Sequence, residues 1–306
     1  MLFRSDLALH NAKSDGRNTF RFFDPTMQEI VMVRAALERD IVLAQQNGQF
    51  LLHYQPQVTE IGQVVGAEAL IRWQHPERGL VAPSDFLPLV EGHSISVQLG
   101  EWVIDTALAQ MDAWRIDGLD LPVSVNIGAR QLLQSEFMER LTALLARHPE
   151  VPRDHLELEI LETSALDDVA QVSEVMSTCR QMGIRFSLDD FGTGYSSLTY
   201  LSRLPAQVLK IDQSFVRGML DDPNDLAIVN GVIGLASAFH RQVIAEGVET
   251  ESHGTQLIAL GCVLAQGYGI AHPMAAEELP SWATRWKRTP QWQTGQRFVG
   301  SACAVE

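Results

Sequence analysis

Basic residues are scarce in this chain: 23 Lys and Arg stand against 38 Asp and Glu, a formal charge of −15 at pH 7 over 306 residues. A surface for DNA or RNA polymers needs clustered Lys and Arg to release condensed counterions, so the balance argues against such a partner. It does not exclude a small phosphate ligand, because metal ions held among acids reverse the local field. Cysteine is scarcer still. Cys179, Cys262 and Cys303 are widely spaced, with no CxxC pair and no even-numbered framework, which excludes a disulfide scaffold and suits buried or incidental thiols in a reducing cytoplasm. Long hydrophobic runs are missing as well. Arg4, Asp6 and Lys13 interrupt any apolar run at the N-terminus, and the longest apolar stretch, Leu226 to Phe239, contains Asn230 and Ser237. The fragment is expected to make no membrane contact itself, although the parent protein could carry an anchor. Zinc signatures are also lacking: the nine histidines show no HExxH spacing.

What is present is enough apolar residue, 46% of the chain, for one sizeable core, either a large α/β barrel or two smaller domains. From Phe50 onward, short apolar or β-branched runs alternate with longer amphipathic stretches, the pattern of repeated βα units. The strands read as Leu51 to Gln57, Val64 to Trp73, Pro122 to Ile127, His155 to Leu161, Ile184 to Asp189, Gln207 to Asp212, Val243 to Glu246 and Cys262 to Gln266. Eight strands suggest a closed barrel. Helices are expected over Ala129 to Arg147, Asp167 to Met182 with Gly183 as C-cap, and Asn224 to His240. Residues 1–28 read as a polar leader outside the barrel, joined to it by a helix from Met27 to Asn47. The barrel spans 29–286, and 287–306 read as a tail.

Strand side chains alternate between two faces, one toward a barrel axis and one toward the helices. Ser124 and Asn126 oppose Val125 and Ile127, and Glu157 and Glu159 oppose Leu156, Leu158 and Ile160. Ser187 and Asp189 oppose Phe186 and Leu188, Lys210 and Asp212 oppose Leu209 and Ile211, and Glu246 opposes Val243 and Ala245. Glu68, Leu70 and Arg72 separate likewise from Ala69, Ile71 and Trp73. The polar set is axial and lies near the C-terminal strand ends, where barrel enzymes keep their sites. Glu68, Glu159, Asp189, Asp190 and Glu246 in one cavity repel one another unless cations intervene. Their oxygen donors suit Mg²⁺ or Mn²⁺, and adjacent Asp189 and Asp190 could bridge two ions. Taken singly, each acid reads more readily as a solvated or salt-bridged residue; the coincidence of strand ends is what argues for a site. Lys210 reads either as the counter-ion or as the group that orients or deprotonates water.

Glu68-Ala69-Leu70-Ile71-Arg72-Trp73 resembles the signature of EAL domains. Joined to it in order are Tyr54-Gln55-Pro56, Val125-Asn126, Glu159-Ile160-Leu161-Glu162-Thr163, Asp189 to Leu198, Lys210-Ile211-Asp212, Glu246-Gly247-Val248-Glu249-Thr250 and Gln266-Gly267-Tyr268. The resemblance implies a modified TIM (β/α)8 barrel whose first strand is antiparallel to the rest. It implies two-metal hydrolysis of cyclic di-GMP to linear pGpG in bacterial signalling. Glu68, Asn126, Glu159 and Asp189 would hold one metal, and Asp189, Asp190 and Glu246 the second, with Lys210 serving the attacking water. Gln55, Leu70, Arg72 and Asp212 resemble nucleotide contacts, the Arg72 fork suiting phosphate. Glu162 would steady the Asp190 to Leu198 loop, and Gln266 and Glu249 would support substrate or water. Gly128 and Leu161 depart from residues common in the family, and neither removes a ligand. The leader resembles the end of a GGDEF domain, so the expected parent is a tandem GGDEF-EAL protein, with a homodimer as the family-typical assembly. The rival reading is a catalytically silent sensor of cyclic di-GMP; such domains usually lack a ligand or the lysine, and none is missing here. A scaffold role has no residue in its favour.

Overall fold

Short strands buried on both faces, each followed by a helix, are the raw material of a parallel sheet, and they dominate the larger of two compact units in this chain. The computed structural model describes residues 40–90, 95–166, 168–194 and 198–286. The larger unit takes residues 52–71 and those from 96 onward, the smaller the described residues through 51 together with 72–95.

The strands are β1 (Phe50–Thr59), β2 (Val64–His75), β3 (Gly79–Val81), β4 (Val123–Asn126), β5 (Leu156–Leu161), β6 (Arg185–Phe191), β7 (Val208–Ile211), β8 (Gln242–Ala245), β9 (Leu264–Ala265) and β10 (Met274–Ala275). In the larger unit the neighbours run β10-β1-β9-β8-β7-β6-β5-β4-β2, and β1 also pairs with β2, closing a ring of eight staves. From β2 round to β9 the pairing is parallel. β1 meets β9 antiparallel, with Val58 opposite Ala265. The chain is thus a TIM-type barrel with a reversed first strand. The two-residue β10, antiparallel to β1 at His53 and Tyr54, has no counterpart in the sequence reading, because two residues carry no period.

Polar parity survives in the register. Glu68 lies opposite Ser124, Asn126 opposite Glu159, and Glu159 opposite Ser187. Between Leu188 and Phe191 the β6–β7 register slips at a bulge.

Phe186, Leu188, Leu158 and Val243 are buried, and the helices that follow β5 and β7 lie close to β6 and β8. Their starts follow from capping chemistry: a side-chain oxygen satisfies an otherwise unpaired first-turn N–H. Asp168 accepts from Gln171 N at 3.1 Å, so that helix begins at Val169 and runs to Gln181. Gly183, at φ +93°, is the left-handed residue that ends it. Asp222 caps Pro223–Ala238, with proline in the first turn. The stretch expected as one helix, Ala129 to Arg147, is two, Ala129–Leu132 and Phe137–Arg147. A turn separates them, in which Phe137 N donates to Gln134 O and buries the Phe137 ring. Of the helix expected over Met27 to Asn47, residues 40–46 are helical; the remainder, the leader, the tail and Cys303 lie outside the described residues. No described helix is long and apolar enough to cross a membrane.

Arg241 ties one of the smaller helices in place. Its Nη2 donates to the carbonyls of Leu201 and Leu204 at the end of helix Leu198–Arg203, the latter at 2.7 Å. Arg241→Met, which keeps the stem and removes the donors, is expected to cost about 1–3 kcal/mol through the stranded carbonyls. A urea midpoint unchanged from wild type would show that water satisfies them instead.

The smaller unit is organised by Phe50, Trp73 and Phe86, whose ring centroids lie 5.6–5.9 Å apart. Trp73 Nε1 donates to Gln49 Oε1 at 3.1 Å. The strand beginning at Val64 continues to His75, two residues beyond the expected end, and turns back into β3 through Gly79 at φ +70°. The His75 ring accepts from the Glu77 and Arg78 amides within that turn, a side-chain cap that hydrophobic periodicity does not reveal.

Candidate active site

At the strand ends of the larger unit, four carboxylates converge on one ammonium. Lys210 Nζ lies 2.6 Å from Glu246 Oε1, 2.7 Å from Glu159 Oε2, 3.2 Å from Glu68 Oε2 and 3.4 Å from Asp189 Oδ1. The lysine is 0% exposed. Each partner arrives on a different stave: Glu68 on β2, Glu159 on β5, Asp189 on β6, and Glu246 just past β8, where its N–H continues the ladder to Ile211 O. Lys210 itself is on β7.

A lysine offers three protons, so four acceptors are one too many, and the charge count leaves three negative charges over. The proton affinities register this surplus. Burial by itself would lower the Lys210 pKa, but Asp189, Glu159, Glu246 and Glu68 together push it well above the ordinary value. Burial would raise Glu68, yet Lys210, Gln266 and Asn126 hold it below the usual carboxylate range. Burial, then repulsion from Glu68, pushes Glu159 well up. Burial likewise raises Asp189. Burial, reinforced by Asp189 and Glu68 against the pull of Lys210, takes Glu246 to about 8.

Asp190 joins the cluster for a reason that strand alternation forbids. Neighbouring residues on a regular strand face opposite ways, but Asp190 sits in the bulge with φ +52°. Bulges re-aim side chains. One carboxylate oxygen each from Asp189, Asp190 and Glu246 consequently lie within 4.8 Å of one another, and burial with Asp189 and Asp212 nearby raises Asp190 to about 7.

These residues suit divalent cations. The donors are carboxylate oxygens, the ligands of Mg²⁺ and Mn²⁺. Glu159 Oε1 is buried with no hydrogen-bond partner, and Asp189 Oδ1 meets only the long 3.4 Å approach of Lys210 Nζ, a costly state that a cation would relieve. Asn126 spends its Nδ2 on Glu68 Oε1 at 2.8 Å, which leaves its amide oxygen as the available donor.

The expected nucleotide contacts are placed less uniformly. Leu70 is half-buried on β2, two residues past Glu68. Arg72 belongs to the smaller unit. Asp212 Oδ1 accepts from Ser214 N at 3.0 Å and from its hydroxyl, capping helix Gln213–Gly218. Gln55 and Gln266 are buried and bonded to each other, with Gln266 Nε2 also 2.6 Å from Glu68 Oε2.

Glu162 Oε2 accepts from Gly192 N at 2.8 Å, and a Cβ at Gly194 would stand 2.8 Å from Glu162 Oε1. The start of the loop therefore rests on this buried carboxylate; Tyr195, Ser196 and Ser197 lie outside the described residues. Glu249 is exposed and pairs with Arg217, its Oε1 2.7 Å from Arg217 Nε. Sequence reasoning had no means to find that pairing, nor the backbone carbonyl of Ala271 that accepts from Gln55 Nε2 at 2.9 Å, since a carbonyl leaves no mark on composition.

Comparison with known proteins agrees over most of the chain. The EAL domain family matches residues 34–273. The chain is 40% identical over 282 residues to the bifunctional diguanylate cyclase/cyclic di-GMP phosphodiesterase MucR of Pseudomonas aeruginosa, covering 91% of this chain and 41% of that protein. It is 37% identical over 284 residues to the cyclic di-GMP phosphodiesterase PdeR of Escherichia coli, covering 92% of this chain and 42% of that protein. The chain thus spans about two fifths of the length of these relatives. Among solved structures, the PaMucR phosphodiesterase in complex with c-di-GMP superposes with a TM-score of 0.76 at 42% identity, covering 80% of this chain and 99% of that one. A reversed-strand barrel, an acidic ring closed on a buried lysine and a match across residues 34–273 converge on one statement: the chain belongs to the EAL domain family.

Proposed function

We propose that this domain is a cyclic di-GMP phosphodiesterase that opens the cyclic dinucleotide to pGpG. The observation that supports this most directly is the complete ring of Glu68, Glu159, Asp189 and Glu246 around Lys210. A domain that only binds its ligand has no need of four carboxylates crowded on one buried ammonium, an arrangement that calls for protons or cations as further counter-charge. The relatives named as phosphodiesterases support the substrate class.

Glu68, Asn126, Glu159 and Asp189 would hold one divalent cation and Asp189, Asp190 and Glu246 a second. Such ions lower the pKa of water and neutralise charge that develops on phosphorus oxygens. The chain's own residues then orient and move protons. With Glu68 and Glu159 turned to cation ligation, Lys210 Nζ has N–H groups released to hold the attacking water. The water oxygen bonds to phosphorus as the P–O3′ bond breaks. The water's proton passes to the acidic ring, and the departing 3′ oxygen gains one from solvent. The Arg72 fork suits phosphate, as the resemblance implies, Leu70 would flank the nucleotide, and Asp212 would meet a base or sugar donor with the oxygen not used in capping. Glu162 would hold the loop after Asp190 in place, and Glu249, paired with Arg217, would support substrate or water. A homodimer and an upstream GGDEF or sensor domain rest on the resemblance alone, and a cytoplasmic setting on the few, widely spaced cysteines.

The test is product analysis. Purified protein with Mg²⁺ or Mn²⁺ should convert cyclic di-GMP into one product that co-elutes with pGpG, and Glu68→Ala should form none. Retention of cyclic di-GMP without any product, from a protein shown to bind Mn²⁺, would establish the sensor instead.

A further inference from the structure

Gln55 and Gln266 resemble nucleotide-contacting or water-supporting positions, yet their polar atoms face inward. Gln55 is 6% and Gln266 4% exposed. Gln55 Nε2 donates to Ala271 O at 2.9 Å, Gln55 Oε1 accepts from Gln266 Nε2 at 3.0 Å, and Gln266 Nε2 also donates to Glu68 Oε2 at 2.6 Å. The chain of bonds has one possible direction. An amide's nitrogen and oxygen are distinguished by what they meet, and both ends of this chain are pure acceptors, a backbone carbonyl and a carboxylate. Turning Gln55 over would set its oxygen against the Ala271 carbonyl and its nitrogen against that of Gln266. Turning Gln266 over would set an oxygen against Glu68. Either arrangement opposes like groups and breaks bonds that the observed one makes, in which Gln266 Oε1 is the amide atom left without a partner, so the carbonyl of Ala271 dictates the orientation of Gln55, then of Gln266, then of Glu68. Asn126 fixes the other carboxylate oxygen at 2.8 Å, and the Glu68 plane is determined from both sides.

We propose that Gln55 and Gln266 form a positioning strut, anchored on the Ala271 carbonyl, that aims the Glu68 carboxylate, so that Gln55 acts through Glu68 rather than on the nucleotide. The inference rests on the proposed role of Glu68 as a cation ligand. Partners that orient a ligand in this way change metal affinity or activity about 10- to 100-fold when removed.

Mn²⁺ binding to the free protein, followed by the EPR signal of unbound Mn²⁺, reads the strut without turnover. Gln55→Met is expected to weaken Mn²⁺ about tenfold, while the calorimetric Kd for cyclic di-GMP in EDTA stays within about twofold. Gln266→Met should weaken Mn²⁺ as much, and the double variant no more than the worse single, because residues acting in series are not additive. Gln55→Asn keeps the amide but is one methylene too short to span Ala271 O and Gln266 Nε2, and should weaken Mn²⁺ about as much. Should Gln55→Met not unfold cooperatively, Gln266→Met and Gln55→Asn carry the test, and wild-type Mn²⁺ affinity in both overturns the strut. Unchanged Mn²⁺ affinity in Gln55→Met with weakened nucleotide binding also overturns it and returns Gln55 to the ligand. If the wild type never cleaves cyclic di-GMP but the Mn²⁺ effects persist, the strut stands and the phosphodiesterase reading fails.

Discussion

Lys210→Met is expected to lower kcat about a thousandfold, within the range removed with a proton-handling group, while KM for cyclic di-GMP changes by less than about threefold. The substitution also removes the one positive charge among Glu68, Glu159, Asp189 and Glu246. Breaking a buried ion pair from one side leaves the other charge desolvated and unpaired, a cost of about 3–5 kcal/mol. The cation-free variant should therefore melt well below wild type, and the gap should narrow when Mn²⁺ supplies the missing positive charge. The two readouts separate the roles of the lysine. A pure counter-ion is replaced by cations in both stability and turnover; a group that also holds water is replaced in stability alone. Undiminished kcat in Lys210→Met would remove the lysine from the mechanism.

Chelation of divalent cations is expected to abolish turnover and to leave a protein whose melting temperature falls as pH rises from about 5 to about 8. The sign follows from proton counts. Glu246, raised from 4.5 to about 8, and Asp190, raised from 3.8 to about 7, keep protons in the folded state that the unfolded chain has already shed in this window. The folded state binds more protons there, so stability is full at the acidic end and is lost as pH climbs through the folded pKa values. Glu68, held low, contributes stability above the ordinary carboxylate range and adds no slope in this window. The Lys210 contribution, from a pKa held above 10.5, is likewise intact throughout. Cations replace those protons as counter-charge, so Mg²⁺ or Mn²⁺ should flatten the slope, and their binding near pH 7 should release protons. Scanning calorimetry at three pH values in EDTA decides the matter. A melting temperature that rises with pH in EDTA would falsify the electrostatic account of the ring.

Much of this site was legible from strand alternation. The polar parity of Glu157 and Glu159, of Ser187 and Asp189, and of Lys210 against Leu209 and Ile211 assigned them to one face, and the observed register keeps Glu159 opposite Ser187 and Asn126. A period of two survives folding because barrel strands bury one face in the axis and the other under helices. The same rule misjudges Asp190, whose place in the ring depends on the bulge and a positive φ. It is silent on Glu249, which lies beyond a strand end and turns to Arg217. The sequence reading also joined Ala129 through Arg147 into one helix. Apolar spacing continues through residues 133–136, while the backbone there turns to bury Phe137.

The residue order by itself determined that this chain forms strands with acids, an amide and a lysine on one side and aliphatic residues on the other, because alternation needs only local backbone geometry and the hydrophobic effect. It determined the donor chemistry for the same reason, since oxygen ligands and a lysine are properties of side chains wherever they sit. Only the tertiary structure decided that four carboxylates share one ammonium, that Asp190 turns toward Asp189, and that a backbone carbonyl at Ala271 orients Glu68 through two glutamines. Those outcomes depend on ring closure and on hydrogen-bond direction between residues up to 216 positions apart, and no local pattern encodes either.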